Sequence, residues 1–306
     1  IPAPSKKKGE ASRQIANDGG QRRIGSGWGT ESAPLNLDEW SQKSEIYHTG
    51  NIERYYDKDD LVIAVANITP AYTNKYSGRD YFSHRTRRVE KYWRTIVYDR
   101  ANDVVIVYDN LVSTDPMFRK KSLIHTISEP RRTKNGFITQ IPANDRPVRK
   151  AGSMKASILF PEDVNISIIG GKGLDFLVDN INFDEAGAVW KSVLKRKNNR
   201  PEPGRWRVEI SPSIAQERDR FLMVLTPTIE NQQSNLRIRR LVTEKAIGSE
   251  IRGPYRTLKL LFPNNREGVL LEIKNKKGSK MLDMTLVAKK PAPENLWQKF
   301  RHTLGF

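Results

Sequence analysis

Short stretches in which apolar and polar residues alternate recur along the chain from residue 51 onward. In the stretch 89–98, Tyr92, Arg94 and Ile96 fall on one face of a strand, and Trp93 and Val97 fall on the other. This period of two is typical of a half-buried β-strand, because successive side chains of a strand point to opposite faces. Strands are predicted at 61–68, 89–98, 103–112, 121–128, 136–141, 154–160, 164–169, 189–195, 206–211, 221–227, 236–243, 255–262, 269–274 and 281–288.

Turn-forming residues separate these predicted strands. Arg100, Ala101 and Asn102 can join 89–98 to 103–112 as a hairpin, and Gly170 with Gly171 marks another turn. Many short strands at regular spacing indicate a β-sandwich or barrel, and charged residues at alternate positions suit antiparallel sheets with one solvated face. We therefore predict an all-β fold, a large antiparallel β-sandwich.

The two ends of the chain have a different composition. Residues 1–50 are predicted to form an extended N-terminal arm that packs on a sandwich of residues 51–290, with one short helical turn at 35–40. In the tail 291–306, Trp297, Phe300 and Leu304 recur at helical spacing. They indicate a short C-terminal helix, which would either dock on the sandwich or bind another subunit.

The chain is strongly basic, with 53 lysine and arginine residues, 35 acidic residues and a formal net charge of +18. Such a field attracts polyanions, which fits an acidic polysaccharide, a nucleic acid or an anionic membrane surface. A solvated surface without a specific partner is the alternative. The chain has no cysteine, which excludes disulfides and thiolate metal sites. No apolar run approaches the ~20 residues of a membrane-spanning helix.

The string NDGGQRR at 17–23 is the most unusual short segment of the chain. Its two glycines allow a tight turn with positive φ, and Arg22 and Arg23 follow directly. The segment fits either a structural turn or a polar rim that contacts sugar hydroxyls and carboxylates. Together with Trp28 and Trp40, these arginines are predicted to bind substrate.

Arginines and aromatic residues are combined in RDYFSHRTRR at 79–88. Arginine binds planar carboxylates through paired hydrogen bonds, and aromatic rings stack on the apolar faces of sugars. Arg79 and Arg85 are therefore predicted to bind a uronate polymer. A solvated loop ranks second as an interpretation, and nucleic-acid binding, which uses similar residues, ranks third.

Two tyrosine–histidine pairs, Tyr47 with His48 and Tyr81 with His84, are candidate catalytic residues. β-Elimination from a uronate needs a base for the C5 proton and an acid for the leaving O4, and these side chains can fill both roles. Neighbouring strand residues point to opposite faces, so closeness in sequence alone does not assemble a site. The four histidines lack partners at zinc-ligand spacing, and no metal site is predicted.

Several longer strings occur in a recognisable order. NDGGQRR is followed by PLNLDEW at 34–40, YHTG at 47–50, AVANITPAYTNKY at 64–76, YWRTIVYDRANDVVIVYDNLVSTDPMFRKKSLIHTISEP at 92–130, PGRWRVEISP at 203–212 and DRFLMVLTP at 219–227. In this order they resemble the C-terminal half of heparinase II/III-type polysaccharide lyases, a group that includes alginate and glycosaminoglycan lyases. The resemblance covers residues 15–230.

The resemblance implies an (α/α) toroid followed by a large β-sandwich, of which this chain would be the sandwich. It places the catalytic Asn, His and Tyr mostly in the toroid. Another His and the ligands of a divalent metal, zinc or calcium, would lie in strands before Ile1. No residue here matches those motifs, so no cofactor is predicted within the chain. A secreted, periplasmic or cell-surface bacterial location is expected.

We therefore expect the β-sandwich portion of a polysaccharide lyase that degrades an acidic, uronate-containing polysaccharide by β-elimination, with the toroid as a companion domain or chain. Its own task would be to bind polymer and wall the cleft. One alternative is a non-catalytic acidic-glycan-binding or cell-surface structural module. The other is a nucleic-acid-binding β protein, for which the sequence offers no recognition helix or RNP-like string.

Overall fold

The computed structural model describes residues 36–42, 44, 48–73, 88–145, 148–171, 174, 177–178, 181–182, 204–229 and 234–286. These residues form strands with two short helices, α1 (Leu37–Gln42) and α2 (Pro70–Thr73). Helix α1 begins after Asn36, whose Oδ1 accepts a hydrogen bond of 2.8 Å from the backbone N–H of Glu39, the usual arrangement of an N-cap. Neither described helix is long and apolar enough to cross a membrane.

The strands of the described residues are short, and their bounds are as follows. They are β1 (Asn51–Lys58), β2 (Leu61–Asn67), β3 (Val89–Asp99), β4 (Val104–Ser113), β5 (Ser122–Thr126), β6 (Arg131–Thr133), β7 (Gly136–Ile141), β8 (Asn144–Asp145), β9 (Val148–Arg149), β10 (Gly152–Phe160), β11 (Val164–Gly170), β12 (Leu177–Val178), β13 (Ile181–Asn182), β14 (Trp206–Pro212), β15 (Arg218–Ile229), β16 (Arg237–Val242), β17 (Ala246–Arg252), β18 (Thr257–Pro263), β19 (Leu270–Asn275) and β20 (Gly278–Asp283).

Three antiparallel sheets carry most of these strands. The largest has eight strands in the order β1-β2-β3-β4-β15-β10-β7-β6, the second is the meander β16-β17-β18-β19-β20, and the third has the order β11-β14-β5. Two small hairpins, β8–β9 and β12–β13, complete the part of the chain that the structure describes. The predicted all-β, antiparallel sandwich is thus confirmed.

The five-stranded sheet packs on one face of the eight-stranded sheet, here called the inner face. Buried Ile63, Val97 and Val224 of the large sheet meet a row of apolar side chains that includes Leu260 of the small one. The Tyr108 and Phe262 rings stack between the sheets with centroids 4.0 Å apart. Each such side chain contributes about 1.5–3 kcal/mol when fully buried, so this core fixes the two sheets face to face.

The three-stranded sheet covers the opposite, outer face of the eight-stranded sheet. Phe137, Phe221 and Met223 of the large sheet pack there against Val208 and Ile210. Because successive side chains of β15 point to opposite faces, its alternate residues pack into two different cores. Leu222 and Val224 pack in the inner core, and Phe221 and Met223 pack in the outer one.

The eight-stranded sheet is wider than either sheet that covers it. At one end, the outer face of β2, β3 and β4 has no covering sheet among the described strands, and Ile96 is 39% exposed there while its neighbour Val97 is fully buried. At the other end, the inner face of β7, β10 and β15 extends past β16, the edge of the five-stranded sheet. We call these areas the outer-face area and the inter-sheet cleft.

Two edges of the eight-stranded sheet are irregular. Strand β1 carries a register shift between Ile52 and Arg54 where it pairs with β2. At the other edge, β6 has only three residues, two of them exposed arginines. Both features limit the length of regular backbone that an edge presents.

Most predicted strands occur within a few residues of their expected bounds, but seven strands of the described residues were not predicted. Five of them, β6, β8, β9, β12 and β13, have only two or three residues, and two are longer. The two longer ones are β1 and β17, whose sequences NIERYYDK and AIGSEIR lack an alternating apolar pattern. The predicted strand at 189–195 and helical tail at 291–306 lie outside the described residues, as does most of the arm 1–50. The domain bounds therefore remain predictions.

Candidate functional site

Of the ten predicted site residues, two lie in the described part of the chain. Those outside it are Arg22, Arg23, Trp28, Tyr47, Arg79, Tyr81, His84 and Arg85. Their roles remain predictions.

The two described members of the set, Trp40 and His48, lie close together. Their ring centroids are 6.4 Å apart with planes at 71°, an edge-to-face contact of the kind that aromatic rings prefer. Trp40 is 38% exposed and His48 is half-buried. The structure therefore joins a residue predicted to bind substrate to one predicted to transfer protons.

The described residues before the predicted binding segment 79–88 lie on the outer-face area, and Arg88, the last residue of the segment, comes directly before β3. Helix α2 precedes the segment and is fixed to β3 by hydrogen bonds between Thr69 and Tyr92: the Tyr92 N–H donates to Thr69 Oγ1 over 2.9 Å. The Thr69 hydroxyl in turn donates to the Tyr92 carbonyl over 3.3 Å. On the other side, Arg88 stacks on the Phe118 ring at 4.7 Å. The described residues that flank 74–87 are therefore Thr73, which follows Tyr72 at the Tyr92 ring, and Arg88, one residue before β3.

Four side chains at this position form what we call the Arg94 cluster: Tyr72, Tyr92, Arg94 and Asp109. Arg94 donates to both oxygens of Asp109, from Nε over 2.7 Å and from Nη2 over 2.8 Å. The same Nη2 donates to the Tyr92 hydroxyl over 2.8 Å, and that hydroxyl donates to Asp109 over 3.2 Å. The rings of Tyr72 and Tyr92 lie 5.6 Å apart, tilted by 46°.

Burial determines the chemistry of this cluster. The Asp109 side chain is 2% exposed and that of Arg94 is 37% exposed. Hydrogen bonds to Asp109 raise the pKa of Arg94 above its ordinary value. Burial raises the pKa of both Tyr72 and Tyr92, so both phenols stay protonated at neutral pH. The cluster can therefore donate hydrogen bonds, but its phenols cannot act as bases there.

Apolar side chains surround the Arg94 cluster on the same face. Val62, Ala64 and Val107 are half-buried, and Ile96 is the exposed member of the group. Arg94 Nη1 makes no hydrogen bond to any described residue. The outer-face area thus combines apolar side chains with one guanidinium nitrogen, Arg94 Nη1, that can donate to a ligand.

The sequence contained part of the signal for this cluster. Alternation along 89–98 puts Tyr92 and Arg94 on one face of a strand. Their partner Asp109 was missed, because only the register of the β3–β4 hairpin brings it opposite Arg94. Among the described residues, no group of three or more His, Asp or Glu side chains is arranged to hold a metal ion.

No protein-family model matches the chain, and no curated protein matches its sequence. Similarity to solved structures is found at low identity. The crystal structure of heparinase III is 14% identical, over 78% of this chain and 27% of that chain, with a TM-score of 0.38. A mutant of the heparan sulfate lyase HepC from Pedobacter heparinus is 12% identical, over 79% and 28% of the two chains, with a TM-score of 0.40.

A third similar structure is the heparinase III BT4657 gene product with methylated lysines, which is 11% identical with a TM-score of 0.41. It is matched over 87% of this chain and 34% of that chain. The chain thus spans about a third or less of these structures. At these values the likeness does not by itself assign a family or an activity.

Proposed function

We propose that this chain is the β-sandwich portion of a polysaccharide lyase that degrades an acidic, uronate-containing polysaccharide. Its own task is to bind the polymer on the outer-face area and to wall the cleft in which the polymer is cleaved. The acid and base of the β-elimination belong to a companion (α/α) toroid, as the resemblance of the strings from 17 to 227 implies. A secreted, periplasmic or cell-surface location belongs to the same proposal.

The observation that carries the proposal is that the basic segment 74–87 directly follows residues that lie on the outer-face area. The segment contains four basic residues, Lys75, Arg79, Arg85 and Arg87, and one acidic residue, Asp80, which gives a net charge of +3. The described residues just before the segment are tied to the outer-face area beside the Arg94 cluster, and Arg88 just after it leads directly into β3. Cations that recognise carboxylates are therefore joined in sequence to a face that bears aromatic residues and that no described sheet covers.

The chemistry of that face favours a sugar polymer over a nucleic acid. The Arg94 charge is already paired with Asp109, so the face itself contributes little net positive charge for a phosphate backbone. Tyr72 and Tyr92 contribute rings and protonated hydroxyls, which suit the C–H faces and hydroxyls of sugars. Arg79 and Arg85 would then bind the uronate carboxylates.

Polymer affinity tests the binding part of the proposal. The double variant Arg79→Ala/Arg85→Ala is expected to bind alginate, heparan sulfate or chondroitin sulfate at least tenfold more weakly, about 1.4 kcal/mol per factor of ten. The matched control is Lys276→Ala/Lys277→Ala, which removes the same charge from the exposed β19–β20 turn. Equal losses in both variants would show that only net charge matters. Duplex DNA bound more tightly than every uronate polymer, with a steep salt dependence, would overturn the choice of partner.

Product formation tests the lyase part. The protein as it occurs in its native source is incubated with the same polymers, and ultraviolet absorbance of unsaturated uronate ends is followed. Formation of that chromophore is expected from the polymer that binds most tightly. Tight binding without unsaturated product from any polymer would overturn the lyase assignment and leave a non-catalytic glycan-binding module.

A further inference from the structure

The inter-sheet cleft is a second recess, on the other face and at the other end of the eight-stranded sheet from the outer-face area. It has a volume of about 910 Å³, within the range of small-molecule binding sites. Strands β7, β10 and β15 form its floor, and β16 with the residue Ser234 just before it forms one wall. Because the five-stranded sheet ends at β16, none of its strands covers the inner face of these floor strands beyond that edge.

The floor carries polar side chains on the same face that holds the apolar inter-sheet core farther along its strands. Two rows cross the sheet on the same face: Gln140, Ser153 and Thr228 form one row, and Ile138, Lys155 and Thr226 form the next. The hydroxyls of Ser153 and Thr228 lie 2.6 Å apart and share a hydrogen bond. Farther along β15, the same face carries Leu222 and Val224 of the core. The change from apolar to polar residues occurs where the covering sheet ends.

Thr226 is the strongest indication of a ligand. It is 4% exposed, and its buried Oγ1 has no hydrogen-bond partner among the described residues. A buried hydroxyl without a partner costs about 1–3 kcal/mol, and valine would fill the same space without this cost. A ligand in the cleft that bonds to Thr226 would satisfy the hydroxyl.

Lys155 supplies the charge. It is exposed beside Thr226 and makes no ion pair with a described acidic residue. Gln140, Ser153, Thr228 and Ser234 add an amide and three hydroxyls around it. Aliphatic side chains, Ile138, Ile141, Leu236 and Ile238 among them, line the rest of the recess.

We propose that the inter-sheet cleft binds a short acidic saccharide. In this site Lys155 contacts the carboxylate, the hydroxyls of Ser153, Thr226 and Thr228 contact sugar hydroxyls, and the aliphatic wall contacts the C–H faces of the rings. Many hydroxyl partners, one cation and an apolar wall match a polyhydroxylated ligand with a single negative group. They do not match a nucleotide phosphate chain, which would need more cations, or a lipid, which would need no polar floor. The site is separate from the outer-face area and does not depend on the proposed lyase function.

Calorimetric titration of the chain with a disaccharide of glucuronate and N-acetylglucosamine tests the site, with neutral cellobiose as the comparison. The acidic disaccharide is expected to bind at least tenfold more tightly than cellobiose. Lys155→Gln should remove this preference. The matched control is Lys259→Gln, an exposed lysine on the other side of the five-stranded sheet, which should leave it unchanged.

Thr226→Val distinguishes a ligand contact from a structural role. The variant should bind the disaccharide at least fivefold more weakly while its melting temperature stays the same or rises. Ser153→Ala, at a half-buried position, provides a second variant with the same expected loss. Absence of disaccharide binding, or binding unaffected by Lys155→Gln and by both hydroxyl variants, would overturn the site. Disaccharide binding abolished only by Arg79→Ala/Arg85→Ala would place the ligand on the outer-face area, overturning this inference while supporting the proposed function.

Discussion

The side-chain amide of Asn110 lies 2.9 Å from both carboxylate oxygens of Glu267. Asn110 belongs to the inner face of β4, whereas Glu267 precedes β19 of the other sheet, so this contact joins the two sheets through polar groups inside the core. Lys91 Nζ approaches the same carboxylate at 2.7 Å. Both Asn110 and Glu267 are at most 2% exposed.

We expect Glu267→Ala to lower the free energy of unfolding by about 3–5 kcal/mol, because it leaves the Asn110 amide without its acceptor and Lys91 without its anion. Urea denaturation followed by circular dichroism measures the change. Glu53→Ala, at an exposed position of the edge strand β1, is the control and should change stability by less than about 0.5 kcal/mol. Similar losses in the two variants would contradict an inter-sheet role.

Replacing Arg94 by Gln is expected to destabilise the fold by about 3 kcal/mol, because Asp109 would remain buried without a cation. The exposed pair Arg100–Asp57 has the same N–O distance of 2.7 Å, with side chains 40% and 38% exposed. Arg100→Gln should therefore leave the denaturation midpoint nearly unchanged, since solvent already screens that pair. If both variants unfolded at the same urea concentration, burial would not be what makes the Arg94 pair important.

The stability of the three-stranded sheet should depend on acid pH through Glu209. Burial by itself raises the pKa of Glu209, but hydrogen bonds from Lys121 and Arg207 lower this pKa by a larger amount. The pKa of Glu209 in the folded protein therefore lies below the ordinary value of 4.5. The ionised form thus stabilises the fold at pH values above 4.5, and this contribution is lost as the pH falls through the lower folded-state pKa.

Melting temperatures measured from neutral pH to about pH 2 test this linkage. Glu209→Gln should melt below the wild type at neutral pH, and the difference should vanish at the acid end. Glu217→Gln, at an exposed carboxylate of the loop before β15, is the control and should melt at the wild-type temperature at neutral pH. A difference that stays constant with pH would mean that the charge of Glu209 is not involved.

Two buried serines should respond in opposite ways to alanine. Ser249 Oγ is fully buried without a hydrogen-bond partner among the described residues, so Ser249→Ala should raise the free energy of unfolding by about 1 kcal/mol. The Ser113 hydroxyl is also buried but lies 2.8 Å from the Asp115 carbonyl and 3.1 Å from that of Glu217. Ser113→Ala should therefore lower stability by about 1 kcal/mol. A loss in both variants would indicate that Ser249 has a partner.

The sequence predicted strands well where burial on one face produces alternation, as in β3, and less well elsewhere. Strand β1 is exposed along almost its whole length, so no period of two appears in its sequence. Strand β17 is buried, but a side chain at Gly248 would overlap the backbone oxygen of Leu260. This close approach requires glycine, which interrupts the apolar pattern of a core strand.

The candidate sites were less predictable, because their residues come together only through sheet topology. Arg94 and Asp109 lie in one hairpin, so register alone makes them partners. The inter-sheet cleft is lined by residues of β7, β10, β15 and β16. Its polar floor can be explained only from the position of β16 at the edge of the five-stranded sheet. A short sequence segment does not indicate where a covering sheet ends.

The edge strands have a consequence for self-association. An edge exposes unpaired backbone groups that can add a strand from another molecule and start a fibril. Here β1 is bulged, β6 is three residues long, and β16 carries Arg237, Arg239 and Arg240. The bulge of β1, the shortness of β6 and the charged side chains of β16 each limit the regular backbone that an added strand could pair with, so polymerisation through these edges is disfavoured.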